Sequence, residues 1–249
     1  MQLLRQACLT VLILCQAPLA RAQPADVPPI LEQGRRLLSA LTPENTGYRH
    51  RGWVRWPDAA TGTDAQAFTD CSGLINGLLE RTGHPLIERL RQAAQRQNPL
   101  ARDYYRQIIA ENGFARILTL HEVRVGDILA VSYPPGPGTT GHTMLVDAPP
   151  ARRASATPPL IDGTVQWEIG VIDAAASPHG VLDNRFGEDG KKRNGVGRGV
   201  LRLYADEEGR PLGYSWSTLA GSRYQDAETN AVAIGRPLPL SASDRSKGP

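Results

Sequence analysis

Apolar residues recur at helical spacing through residues 69–83, the segment around which the rest of the chain is interpreted. They lie on one face of a helix with a period of 3.6 residues: Leu74, Ile75, Leu78 and Leu79. One turn earlier the same face reaches Cys71. Asp70 or Thr69 is a suitable N-cap, and Gly83 is a suitable stop. The pattern therefore predicts a helix that begins with an inward-facing cysteine.

Three further segments have the periodicity of a helix. Residues 30–41 carry an apolar stripe that ends at a Thr-Pro pair. Residues 85–97 and 100–112 follow the cysteine helix, and their outward faces are rich in Arg and Gln, as is usual for a solvated surface. We interpret these last two helices as an insertion that spans residues 84–113 and is a candidate lid.

The second half of the chain alternates between apolar and polar residues, which predicts an antiparallel sheet. Strands are expected at 124–132, 142–148, 166–174, 200–204, 212–216 and 232–235. The segments between them are rich in Gly, Pro or charge and are interpreted as loops, namely 149–165 and 180–199. Residues 44–68 are interpreted as irregular chain. Helices followed by an antiparallel sheet predict one α+β domain over residues 23–240.

The start of the chain has the pattern of an export signal over residues 1–22. A charged start precedes a short apolar run at 7–14, and an A-x-A cleavage site follows at 20–22. Cleavage there removes Cys8 and Cys15. The expected location of the mature protein is therefore secreted or periplasmic.

Cys71 is then the one cysteine of the mature chain, with no partner for an internal disulfide. One interpretation is a small buried residue that fills core space. The other is a nucleophile, because the backbone N–H groups and the dipole at a helix start favour a thiolate. An unpaired thiol in an oxidising compartment is an oxidation liability, which favours a chemical role.

The charge of the chain excludes some classes of partner. The formal net charge is +3, and basic residues form no run beyond 191–193, so nucleic acid is not an expected partner. After the signal, no segment is apolar enough to span a membrane.

The histidines are scattered without metal-ligand spacing, so we expect no metal and no cofactor. Residues 241–249 have the composition of a disordered tail. The oligomeric state is left open.

Three motifs occur in an order that carries a family resemblance. Asp70-Cys71-Ser72-Gly73 opens the cysteine helix, Val125-Gly126-Asp127-Ile128-Leu129 follows, and Gly141-His142-Thr143-Met144-Leu145-Val146 begins a strand. This set resembles the NlpC-type cell-wall peptidases, which have a papain-like fold. The resemblance runs from about residue 48 to residue 174. The inserted helices and the chain beyond residue 175 exceed the family core.

The resemblance implies roles for individual residues. Cys71 is then the nucleophile and His142 the base, while Asp173 falls where the family usually has a second histidine. An aspartate there orients the imidazole and stabilises the imidazolium. His179 is the alternative for this third group if the strand is shifted. Tyr48 looks like the tyrosine that precedes the cysteine in many members.

Four residues are accordingly expected to bind substrate: Tyr48, Asp70, Ser72 and His179. The function implied is an exported cysteine peptidase or amidase that hydrolyses amide bonds in peptidoglycan peptides through a Cys-His-Asp triad. One alternative is an amidase or acyltransferase of the same fold that acts on another substrate. Another is a catalytically silent binding module in which Cys71 is merely packed.

Overall fold

The computed structural model describes residues 27–136, 138–187 and 189–239, and within these ranges the fold is α+β. The four α-helices of these ranges precede the larger sheet, as the sequence predicts, and a small sheet that was not predicted lies between the first two helices. The predicted signal at 1–22 and the predicted tail at 241–249 lie outside the described residues.

Four α-helices occur in the described ranges, and each matches a predicted segment. They are α1 (Pro29–Ala40), α2 (Cys71–Arg81), α3 (Leu86–Ala94) and α4 (Ala101–Ile109). A short 3-10 helix follows at Leu120–Glu122. None of the helices described here is long and apolar enough to cross a membrane.

A small sheet leads the chain into α2. Its strands are β1 (Thr46–Tyr48), β2 (Trp53–Arg55) and β3 (Gln66–Thr69), in the order β1-β3-β2. The prediction that residues 44–68 are irregular is therefore wrong. Strands of three or four residues are too short to show an alternating pattern among the surrounding Gly, Pro and Asp. Because β3 ends at Thr69, it delivers Asp70 and Cys71 directly to the start of α2.

The larger sheet has eight strands, and every neighbouring pair is antiparallel. Its order is β10-β9-β8-β7-β6-β5-β11-β4. The strands are β4 (Phe114–Ile117), β5 (Ile128–Ser132), β6 (Gly141–Arg152), β7 (Val165–Ala175), β8 (Gly195–Ala205), β9 (Pro211–Ser215), β10 (Tyr224–Asp226) and β11 (Ala231–Pro237). The predicted hairpin at 200–204 and 212–216 is confirmed as β8 and β9, while β4 and β10 were not predicted.

Two predicted loops are partly strand. The loop expected at 149–165 begins later, because β6 runs to Arg152, and the loop expected at 180–199 ends where β8 begins at Gly195. In β6, the pairing with β7 shifts register between Val146 and Ala151, around the two prolines. Proline is tolerated in a strand where such irregularities free it from the hydrogen-bond ladder, so it did not end β6 as the sequence suggested.

Alternate residues of the larger sheet face two apolar clusters. Leu145 and Ile172 belong to the cluster that includes the buried leucines of α1 and α2, while Met144 and Val171 belong to the opposite cluster. The apolar face of α2 is fully buried, and each leucine side chain removed from water contributes about 1.5 to 3 kcal/mol. This packing fixes α2, and therefore Cys71, against the sheet.

Candidate active site

Cys71 occupies the first turn of α2, and its side chain is buried at 5% exposure. Asp70 caps the helix: its backbone is extended, and its carboxylate accepts the N–H of Gly73 at 2.8 Å. The Ser72 hydroxyl donates to the same carboxylate oxygen at 3.2 Å. The first N–H groups of a helix have no intrahelical acceptor, so this turn presents donors next to the thiol.

His142 is the second residue of β6 and is 5% exposed. The preceding Gly141 has a φ of +145°, and a Cβ there would lie 1.9 Å from the carbonyl oxygen of Val131. Only glycine permits this approach of β6 to β5. The glycine of the predicted Gly-His motif therefore sets the position of the histidine ring.

Asp173 of β7 orients the His142 ring through a hydrogen bond. His142 Nε2 donates to Asp173 Oδ2 at 2.6 Å, and the Asp173 side chain is fully buried. The other ring nitrogen is left for Cys71, whose charge acts on the His142 ring. Burial alone lowers the pKa of His142, but the Cys71 thiolate and the Asp173 carboxylate outweigh it and raise the pKa to about 10.

His179 contacts the same oxygen of Asp173 as His142 does. Its Nε2 is 2.9 Å from Asp173 Oδ2, and its Nδ1 is 2.8 Å from the carbonyl oxygen of Trp216. Both ring nitrogens therefore face acceptor oxygens. The prediction that His179 binds substrate is wrong, since its side chain is 0% exposed. Between the two residues considered for the third position, Asp173 is the one that contacts His142.

Arg185 and Asp183 complete a buried charge cluster that the sequence analysis missed. Arg185 Nη2 lies 2.8 Å from Asp173 Oδ1 and 2.6 Å from Asp183 Oδ2. Asp183 Oδ2 also accepts the backbone N–H of His179 at 2.8 Å. Burial opposes ionisation of Asp173, but Arg185 and then His179 hold the pKa of this carboxyl well below its usual range. The available signal was an Asp-x-Arg pair in a segment interpreted as a mobile loop.

The thiol lies in a small cavity of about 80 Å³. Three of the residues expected to bind substrate line this cavity, namely Tyr48, Asp70 and Ser72. His50 also lines it, and its Nδ1 is 3.1 Å from Asp70 Oδ2. Burial raises the pKa of Tyr48, and the charges of Cys71 and Asp70 add to the rise, so its hydroxyl stays protonated.

A groove of about 730 Å³ continues from this cavity between β2 and α2 and shares with it His50, Asp70, Ser72, Leu100 and Gly138. Its other walls include Trp53 and Trp56, and the segment between α3 and α4 contributes Asn98. The segment between the two inserted helices therefore borders the groove. No group of three or more His, Cys, Asp or Glu side chains in the described ranges is placed to hold a metal ion.

Comparison with known proteins identifies one clear relationship. No family profile matches the chain, and no solved structure matches it. The chain is 35% identical over 212 residues to the uncharacterized protein R653 of Acanthamoeba polyphaga mimivirus, and the match covers 81% of this chain and 93% of the viral protein. The chain belongs to the same family as this viral protein.

Proposed function

We propose that the protein is an exported cysteine peptidase or amidase that hydrolyses amide bonds in peptidoglycan peptides, as the NlpC-type peptidases that its motifs resemble do. One observation carries the proposal. Cys71, at the capped start of α2, is close enough to His142 to raise the pKa of its ring, and His142 Nε2 is held at 2.6 Å by the buried carboxylate of Asp173. A nucleophile, a base and a group that orients the base are thus brought together.

The chemistry follows from these contacts. The Cys71 thiolate attacks the amide carbonyl carbon, and the oxygen of the tetrahedral intermediate takes the negative charge. Backbone N–H groups at the start of α2 are the donors available to this oxygen, and one such donor typically contributes a factor of about 100 to 1000 in rate. His142 then gives its proton to the leaving nitrogen, and a thioester forms between Cys71 and the acyl group.

Water resolves the thioester in the second half of the reaction. His142, now neutral, takes a proton from the water, whose oxygen attacks the acyl carbon. The acid product and the protonated imidazole result, with the thiolate as the leaving group. Asp173 remains ionised throughout, because Arg185 and His179 stabilise its charge.

The arrangement of helices and strands also supports a papain-like architecture. The helix that bears the nucleophile lies against an antiparallel sheet, and the base lies at the start of a strand of that sheet. The order cysteine, histidine, third group along the chain also agrees with the resemblance. The groove bordered by the segment between the inserted helices is the part of the cleft that would distinguish this protein's substrates from those of the family core.

The test is hydrolysis of purified peptidoglycan stem peptides by the mature protein, with fragments identified by mass spectrometry. We expect cleavage by the wild type and none by Cys71→Ala. Cleavage that persists in Cys71→Ala would refute the proposal. When an amine acceptor is added, acyl transfer yields the acylated amine and hydrolysis yields the free acid, so the same assay separates the acyltransferase alternative.

A catalytically silent binding module is distinguished by the reactivity of the thiol. A packed cysteine reacts slowly with iodoacetamide at about pH 6, whereas a thiolate paired with an imidazolium reacts rapidly. We expect rapid alkylation of Cys71 that is lost in His142→Gln. A slow reaction that does not depend on His142 would favour the binding module.

A further inference from the structure

A second cavity lies on the His142 side of the site. Its volume is about 320 Å³, and it is lined by Tyr133, Tyr214, Trp216, Arg223, Gln225 and Asn230. Strands β9 and β10 build most of it, since Gln225 is paired with Tyr214 across the two strands. Asn230 Nδ2 donates to Gln225 Oε1 at 3.1 Å, which orients the two amides.

Trp216 connects this cavity to the catalytic histidine. Its ring meets the His142 ring edge to face with centroids 4.9 Å apart, and it lies against the His179 ring at 4.2 Å. Burial raises the pKa of Tyr133, and the charge of Cys71 adds to the rise, so this phenol is within electrostatic reach of the nucleophile. The cavity shares no lining residue with the groove along α2.

The direction of proton transfer assigns the cavity to one part of a substrate. In amide cleavage the protonated histidine gives its proton to the leaving nitrogen, so the leaving group lies on the histidine side of the thiol. This cavity adjoins His142 through Trp216, whereas the groove adjoins the start of α2. The cavity is therefore placed for the leaving group, and the groove for the acyl part.

The lining residues of this cavity favour a ligand that carries a negative charge and also has apolar surface. Three aromatic rings supply apolar surface, and none of the lining residues is acidic. Arg223 is exposed, and within the described ranges no hydrogen bond or ion pair engages its guanidinium. Because side chains alternate along a strand, Asp226 lies on the opposite face of β10 from Gln225 and is directed away from the cavity.

We propose that this cavity binds the leaving-group part of the substrate and that Arg223 pairs with a free carboxylate on it. The amine released by cleavage would then be an amino acid or a short peptide with a free C-terminus. Guanidinium and carboxylate form two parallel hydrogen bonds, which makes the recognition specific for an acid over an amide. This inference rests on the proposed function and specifies the substrate of the same site.

The test uses pairs of stem peptides that are identical except for a free or an amidated C-terminus. We expect wild-type kcat/KM to favour the free acid by about tenfold or more, and Arg223→Gln to reduce this preference to about twofold or less. Arg223→Lys keeps the charge without the paired geometry and should be intermediate. Arg210→Gln, an exposed arginine paired with Asp206, is the matched control and should behave as wild type.

The possible failures are distinguishable. Equal cleavage of both peptides by the wild type, or an equal loss on both in Arg223→Gln, would overturn the carboxylate assignment while the proposed function stands. Cleavage of neither peptide by the wild type would overturn the proposed function, and this inference with it.

Discussion

Arg185 lies 2.8 Å from Asp173, on the carboxylate oxygen opposite to the one that accepts the hydrogen bond from His142. Arg185 also lies 2.6 Å from Asp183, so one buried guanidinium serves two buried carboxylates. Asp173 is therefore ionised and fixed in orientation before any proton passes between Cys71 and His142, which explains how a buried carboxylate can serve the candidate base.

Asp173→Asn tests whether this carboxylate supports the thiolate. The amide has no negative charge to stabilise the His142 imidazolium, so the ion pair with Cys71 becomes less favourable. We expect peptide hydrolysis to fall by on the order of 100-fold or more, and alkylation of Cys71 at about pH 6 to slow. Near-UV circular dichroism controls for folding. An alkylation profile identical to that of the wild type would contradict the role given to Asp173.

The raised pKa of His142 makes folding stability depend on pH. Its pKa is 6.5 in the unfolded chain and about 10 in the folded protein, so the stabilisation is fully present below pH 6.5 and is lost as the pH rises towards 10. We expect the free energy of unfolding in urea to decline across this window. The decline should be smaller in His142→Gln, which has no titrating ring. Parallel declines in the two proteins would show that His142 is not the group responsible.

Arg185→Gln tests the buried charge cluster. It leaves Asp173 and Asp183 without their shared cation, and removing one partner of a buried ion pair typically costs about 3 to 5 kcal/mol. Arg185→Lys restores the charge and should recover part of the loss. We expect the free energy of unfolding to rank wild type, Lys, then Gln. Arg210→Gln removes an exposed pair and should leave stability near wild type.

Asp70→Ala tests the cap that positions Cys71. The Asp70 carboxylate accepts the Gly73 N–H at 2.8 Å, and loss of such a cap costs about 1 kcal/mol. Asp70→Asn keeps an oxygen that can accept this bond and should retain most of the stability. Chemical denaturation measures both variants. Equal losses in Ala and Asn would assign the effect to the charge of Asp70 and not to the cap.

Tyr48→Phe separates substrate binding from activation of the thiol. The Tyr48 hydroxyl lines the Cys71 cavity and stays protonated, so it is available to donate a hydrogen bond to substrate. We expect kcat/KM for stem peptides to fall by about tenfold, because one hydrogen bond to substrate is lost. Alkylation of Cys71 by iodoacetamide should change by less than about twofold. A large change in alkylation would instead place Tyr48 in the activation of the nucleophile.

Predictions made from the sequence succeeded where the signal was local. The start of α2 at Cys71 followed from helical spacing and a capping residue, and the strand character around His142 and Asp173 followed from alternation. They failed where structure depended on distant pairing. Strand β1 pairs with β3 across an irregular-looking stretch, and β8 continues into a segment rich in glycine and charge.

The sequence by itself determined the helix that presents Cys71, the strands that carry His142 and Asp173, and the faces on which these side chains lie, because periodicity and capping act over a few residues. Only the tertiary structure decided that Asp173 contacts both His142 and His179, and that Arg185 is buried against Asp173 and Asp183. These contacts depend on the register of strands far apart in the chain and on the path of the loop after β7. A charged loop residue has the same local pattern whether it faces solvent or a buried partner, so the sequence could not distinguish the two.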